Sequence, residues 1–179
     1  MAAARSVPPV ATAFHDPRRF PFVPTLAAAC AAIRAEMLAL PDACFPDAPD
    51  ALSVATADYD ERGWLYCPLV GAAPAAAANL ARCPATAAAL AAVPGLVNAG
   101  FSRFLPGTRL DRHAGELRSA LRCHLPLVVP AGDLGLEAAG VVARWRQGEC
   151  LVFDDTVEHT AWNLGDGPRT VLLVTFART

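Results

Sequence analysis

The stretch that decides how this chain folds opens with Arg112-His113-Ala114-Gly115-Glu116. It continues as Leu121-Arg122-Cys123-His124-Leu125-Pro126-Leu127, then as Phe153-Asp154-Asp155-Thr156-Val157-Glu158-His159-Thr160-Ala161-Trp162-Asn163, and ends at Arg169. Three of the four histidines lie in it, each near a charged residue. Around it the chain is made of short β-like runs: Leu96-Val97, Gly100–Leu105, Leu121–Val129, Cys150–Phe153 and Val171–Phe176. Pro106-Gly107, Pro130–Asp133, Gln147–Glu149 and Asn163–Pro168 supply turns between them. Leu134–Trp145 reads as a hairpin around Ala139-Gly140. Many short strands with regular turn signals predict a sandwich or barrel.

Working upstream, Leu26, Cys30, Ile33, Met37 and Leu40 recur at three- and four-residue steps, which predicts an amphipathic helix over 26–40. Thr25 is its expected N-cap and Pro41 its stop. A hairpin is expected from Leu52–Thr56 and Trp64–Val70, turning at Tyr59–Gly63. Residues 72–82 are nearly all alanine with weak helical character, and Pro84–Val93 reads as a better helix. The alanine-rich 72–92 stretch either packs or shapes the mouth of a site. Residues 1–13 read as a loose tail, and His15 as an exposed or capping histidine. The expected organisation is one domain over 14–179, with a helical and hairpin part over 14–95 and a β core over 96–179.

Composition narrows the function. All fifteen basic residues are arginine and the net charge is -2, so no basic patch points to nucleic acid. No apolar run is long and uninterrupted enough to span a membrane. The six cysteines show no Cys-x-x-Cys spacing and read as small buried hydrophobes in a reducing compartment. A soluble, cytoplasmic protein is the expectation.

His113 and His159 each end a β-like run, and two such histidines converge on one metal in a barrel; imidazole suits iron, copper, nickel or zinc. The carboxylate that completes a two-His-one-carboxylate iron site often lies two residues after the first histidine. Here that position is Gly115, and Glu116 would point the other way on an extended strand. Arg122 and His124 share strand parity, and Arg169 follows His159 across a turn. Taken singly, each arginine reads as a surface ion pair. Together they suit a dicarboxylate, because a guanidinium fork matches a carboxylate at each end.

From Gly100 to Phe176 the chain resembles the aspartyl/asparaginyl β-hydroxylase family of 2-oxoglutarate-dependent oxygenases. The motifs are Leu105-Pro106-Gly107-Thr108, His113-x-Gly115, Leu121–Leu125, Gly148–Cys150, Phe153–Asp155, Glu158-His159, Trp162-Asn163 and Arg169. Weaker similarity extends upstream through Gly63-Trp64 to Phe14–Pro17. The resemblance implies a double-stranded β-helix: a mainly β, jelly-roll, cupin-like core preceded by N-terminal helices. It implies iron(II) held by His113 and His159 alone, with glycine where the acid would be. It implies 2-oxoglutarate as cosubstrate, its distal carboxylate on Arg169 and Ser102, its chelating end near Arg122 and His124. Asp154 and Asp155 would be supporting or turn-forming residues and Trp162 packing.

The implied activity is a dioxygenase that converts 2-oxoglutarate and dioxygen to succinate while hydroxylating an unactivated carbon. The β-carbon of an aspartyl or asparaginyl unit, free, peptidyl or in a natural-product precursor, is the expected substrate. One position departs from the pattern. Members acting on aspartyl residues often carry arginine where this chain has Ala120, leaving Arg103, Arg109 and Arg118 as substitutes. Other readings are the same fold acting on a different small molecule, an iron halogenase with chloride in the acid's place, and a cupin-like metal-binding module without turnover.

Overall fold

Strand β10, Arg169–Ala177, is where the architecture starts. In the computed structural model, which describes residues 13–48 and 63–178, it pairs antiparallel on one side with β3, Leu96–Phe104, and on the other with β5, Ala120–Val128. The sheet extends past β5 to β8, Leu151–Phe153, and β1, Phe14–His15, and past β3 to β2, Trp64–Val70. A second sheet, ordered β4-β9-β6-β7, joins Arg109–His113, His159–Gly165, Gly132–Ala138 and Val141–Ala143.

Strand alternation sorts side chains into two cores. Leu172, Val174 and Phe176 of β10, with Leu121, Cys123 and Leu125 of β5 and Phe101 of β3, pack beneath the helices. Val171 and Leu173, with Phe104 and Phe153, face the second sheet and meet Leu110, Leu134, Leu136, Ala138 and Ala161. The six-stranded sheet is therefore covered on both faces. That explains why β10 and β5 read as near-continuous apolar runs instead of alternating ones. The result is mainly β, a jelly-roll sandwich with its helices on the outer face of the larger sheet.

The N-terminal helix is two helices. α1, Val23–Ala28, and α2, Cys30–Ala39, meet at Ala29. Thr25 lies within α1 and does not cap it. Pro24 sits in the first turn, where its missing N–H costs nothing, so the helix starts at Val23. The apolar stripe holds across the break: Leu26, Cys30, Ile33, Met37 and Leu40 are all buried. Glu36, off that stripe, caps α4, Pro84–Leu90: its carboxylate accepts from the Ala85 and Thr86 N–H groups at 2.6 and 2.9 Å. The alanine-rich segment forms α3, Ala76–Leu80, whose Asn79 donates to the Pro68 carbonyl at 3.0 Å. With Leu90 and Val93 in the core under the helices, this segment packs and does not line the site.

Ala13, read as the end of a tail, is buried, and its carbonyl accepts from Asp154 N–H at 2.8 Å. Residues 1–12 and the strand expected over Leu52–Thr56 lie outside the described residues. His15 is half-buried in β1. The two β-like runs at 96–105 are one strand, β3. The hairpin at Ala139-Gly140 is a two-residue turn with φ of 51° and 77°, the left-handed pair that matches strand twist. All six cysteines are free, four of them buried. No helix among the described residues is long and apolar enough to cross a membrane.

The outer core should govern stability. Leu125→Ala, at a fully buried site between β5 and the helices, is expected to cost about 2–5 kcal/mol. Urea unfolding monitored by circular dichroism checks this; a loss below about 1 kcal/mol would contradict the packing described.

Candidate active site

Antiparallel pairing of β4 with β9 puts His113 at the end of one strand directly against His159 at the start of the other. Their ring centroids are 4.3 Å apart. His113 Nδ1 lies 2.8 Å from the Asp111 carbonyl, and His159 Nδ1 lies 2.9 Å from the Val157 carbonyl. A carbonyl only accepts, so both Nδ1 atoms carry the proton and Nε2 is left as the ligating nitrogen on each ring. Burial, then the neighbouring His113, pushes His159 down to about 4, which keeps it a neutral imidazole. The two rings therefore suit a divalent metal by donor type and tautomer. Among the described residues no three His, Cys, Asp or Glu gather as a metal cluster.

The acid missing from the motif is present in space. A Cβ added at Gly115 would fall 2.7 Å from Asp155 Cγ, so only glycine leaves room for that carboxylate. The Gly115 N–H donates to the Asp155 carbonyl at 2.7 Å and locks the two segments together. Asp155 is buried, with Oδ2 2.5 Å from Arg122 Nε in an ion pair that is off the line of a hydrogen bond. Asp154 builds the preceding turn, accepting from Thr156 N–H at 3.1 Å and from its hydroxyl at 2.7 Å. Asp155 lies four positions before His159. Sequence placed Asp155 among supporting residues without showing that it occupies the space beside Gly115.

Behind the histidines lies a small cavity of about 40 Å³, open at its mouth. Ser102, His113, Arg122, His124, His159 and Arg169 all line it, together with Trp64, Phe104 and Phe153. Register explains the gathering. Arg169 pairs with Phe104, Val171 with Ser102, Leu173 with His124 and Thr175 with Arg122, so alternate residues of three adjacent strands share one face.

Arg169 is the unusual member. It is buried to 1% exposure, and its Nε and Nη1 have no hydrogen-bond partner among the described residues. The guanidinium carbon sits 3.8 Å from the Phe104 ring centre and 4.4 Å from that of Trp145. Burial alone pushes its pKa down to about 9. An unpaired buried cation is costly, and a carboxylate entering the cavity would relieve that cost. Ser102 Oγ accepts from Trp64 Nε1 at 3.0 Å, which leaves its own proton to donate. His124 is buried beside Arg169 and Arg122, and its Nε2 has no partner among the described residues.

The substitutes for the arginine missing at 120 do not gather here. Arg103 faces the helices, 3.7 Å over the Phe45 ring and 3.7 Å from Asp42. Arg109 is exposed on β4, and Arg118 is exposed in the loop before β5. Trp162 lies under Arg144, 5.3 Å from ring centre to guanidinium carbon.

Residues 27–179 match the family model described as aspartyl/asparaginyl beta-hydroxylase. The chain belongs to that family. An ornithine lipid ester-linked acyl 2-hydroxylase of Rhizobium tropici is 37% identical over 176 residues, covering 96% of this chain and 61% of the relative. The human aspartate beta-hydroxylase domain-containing protein 1 is 39% identical over 105 residues, 54% of this chain and 27% of the relative. The chain thus spans less than two thirds of these relatives. Among solved structures, HygX of Streptomyces hygroscopicus, with nickel and 2-oxoglutarate bound, aligns at a TM-score of 0.54 and 12% identity. The alignment covers 86% of this chain and 79% of that one, a likeness of fold.

Acidification should destabilise the metal-free protein through His159. Its folded-state value of about 4 lies below the ordinary 6.5, so the unfolded chain takes up the proton first as pH falls. Its contribution is complete above about pH 6.5 and is lost towards pH 4, on the order of 3 kcal/mol in all. Urea unfolding at several pH values between 7 and 4.5 should show that slope, and His159→Gln should flatten it; equal slopes would contradict the burial described.

Proposed function

We propose that this protein is a 2-oxoglutarate- and iron(II)-dependent hydroxylase. The observation that carries the reading is the buried Arg169 guanidinium, its Nε and Nη1 without a hydrogen-bond partner among the described residues, sharing one cavity with the His113–His159 pair. In this reading His113 and His159 hold iron(II) through Nε2. Arg169 and Ser102 receive the distal carboxylate of 2-oxoglutarate, while Arg122 and His124 flank its chelating end. Bound iron would supply dioxygen activation: 2-oxoglutarate, dioxygen and a substrate C–H yield succinate, carbon dioxide and C–OH. The chain's own part is positioning. Fixed donors orient the cosubstrate, Phe104, Phe153 and Leu173 keep water off it, and Arg122 holds the Asp155 carboxylate beside the metal-binding histidines.

The proposed substrate carbon is a methylene next to a carbonyl. In an aspartyl or asparaginyl unit that is the β-carbon; in an ester-linked acyl chain it is carbon 2. These share a reaction and differ in what the mouth must grip. Ala120 is buried at the start of β5 and offers no charge to a substrate carboxylate. The relative spanning nearly the whole chain is named for an acyl substrate. Both favour the acyl ester over a free aspartyl carboxylate.

Purified protein with iron(II), ascorbate and 2-oxoglutarate should release succinate in step with 2-hydroxylation of an acyl ester or β-hydroxylation of an aspartyl or asparaginyl compound. No succinate with any of these would overturn the reading. His113→Ala and His159→Ala should each lower bound iron; unchanged iron content in both would count equally against it. Arg169→Met is expected to abolish the thermal shift produced by 2-oxoglutarate while leaving the ligand-free protein as stable or more so, by about 1–4 kcal/mol, because it removes an uncompensated charge. Differential scanning fluorimetry reads both effects.

A further inference from the structure

Trp145 has no part in the chemistry above, yet it touches two of the residues that line the anion end of the cavity. It lies just beyond β7, buried to 5% exposure. Its indole Nε1 is 3.4 Å from His124 Nδ1. Its ring stacks on that of His124, with centroids 6.2 Å apart and planes at 28°. The same indole lies 4.4 Å from the guanidinium carbon of Arg169. Phe153 meets the His124 ring edge-on, 5.1 Å away at 78°, so the imidazole is held by aromatics on two sides.

The donor chemistry then leaves one arrangement. An indole N–H only donates, so His124 Nδ1 must accept and carries no proton. His124 is kept neutral by burial, with Arg169 and Arg122 acting in the same direction. A neutral imidazole has one proton, and here it must sit on Nε2. That atom is buried and has no partner among the described residues. It is therefore a donor waiting for an acceptor, in the cavity where Arg169 Nε and Nη1 wait as well.

We propose that Trp145 is a positioning residue for cosubstrate binding: it holds His124 in the Nε2–H form and braces the Arg169 guanidinium, so that both meet an incoming oxoacid as oriented donors. This rests on the reading of the cavity as a 2-oxoglutarate site. Without the indole donor, His124 is free to adopt the other tautomer and would present a lone pair to a carboxylate. Losing one charge-assisted hydrogen bond weakens binding by about tenfold or more.

Two measurements test it. Long-range proton–nitrogen correlation spectra of the metal-free wild type, labelled in histidine, should show His124 with an unprotonated Nδ1 and a protonated Nε2. An Nδ1–H form, or a doubly protonated ring at neutral pH, would overturn the proposal without any variant having to fold. Trp145→Phe keeps an aromatic ring against Arg169 but removes the donor. Calorimetry of zinc(II)-loaded protein, which binds without turnover, should show about tenfold weaker 2-oxoglutarate binding by Trp145→Phe, with zinc affinity unchanged, and its His124 signals should lose the single-tautomer pattern. Equal 2-oxoglutarate affinity in wild type and variant, or a matching loss of zinc affinity, would sink the positioning role. If the zinc-loaded wild type itself binds no 2-oxoglutarate, the cosubstrate reading falls first.

Discussion

The guanidinium of Arg169 is buried against aromatic rings with no acidic partner among the described residues, and much of the structure follows from that one expense. Such a charge is tolerated only in a rigid setting, and the chain places it at the start of the strand that pairs on both sides, β10. The faces of Phe104 and Trp145 give it partial electrostatic compensation through their ring quadrupoles. In the proposed reading, what remains uncompensated would favour an anion in the cavity. Stability is given up locally at a binding site and recovered in the covered sheet around it.

That recovery depends on three layers. Helices cover one face of the six-stranded sheet and the four-stranded sheet covers part of the other. Polar functional side chains from β3, β5 and β10 can then sit on the inner face without breaking the outer core, because neighbours in each strand point opposite ways. The antiparallel β4–β9 pair brings both histidines to the mouth at the same level. Asp155 shows how the same frame fills the space at Gly115. Its carboxylate fills the space beside Gly115, where an acid side chain on β4's exit would otherwise stand, but it arrives from the segment before β9 and is held by Arg122.

Membership in a hydroxylase family and the carbonyl-adjacent methylene shared by its named substrates point to one reaction applied to different molecules. In the proposed reading the reaction would depend on the Arg169 cavity and on the histidine pair at its mouth, both built from sheet. Ala120 is buried and brings no charge, and Arg118 stands in an exposed loop.

Much of this was legible in the chain itself. Short apolar runs with proline and glycine turns specified a β core, three- and four-residue steps specified the buried stripe of the N-terminal helices, and parity alone put Arg122 and His124 on one face. These are relations between near neighbours, and local backbone geometry transmits them. The break at Ala29 was not legible, because the stripe is continuous through it and only the turn geometry is interrupted. Nor was the fit of Asp155 beside Gly115, or the contact of Trp145 with His124 and Arg169. Those residues come from separate strands, and what brings them together is strand register and the packing of one sheet on another, which no local pattern encodes. The sequence determined which residues could do chemistry here; the tertiary structure alone decided which of them meet.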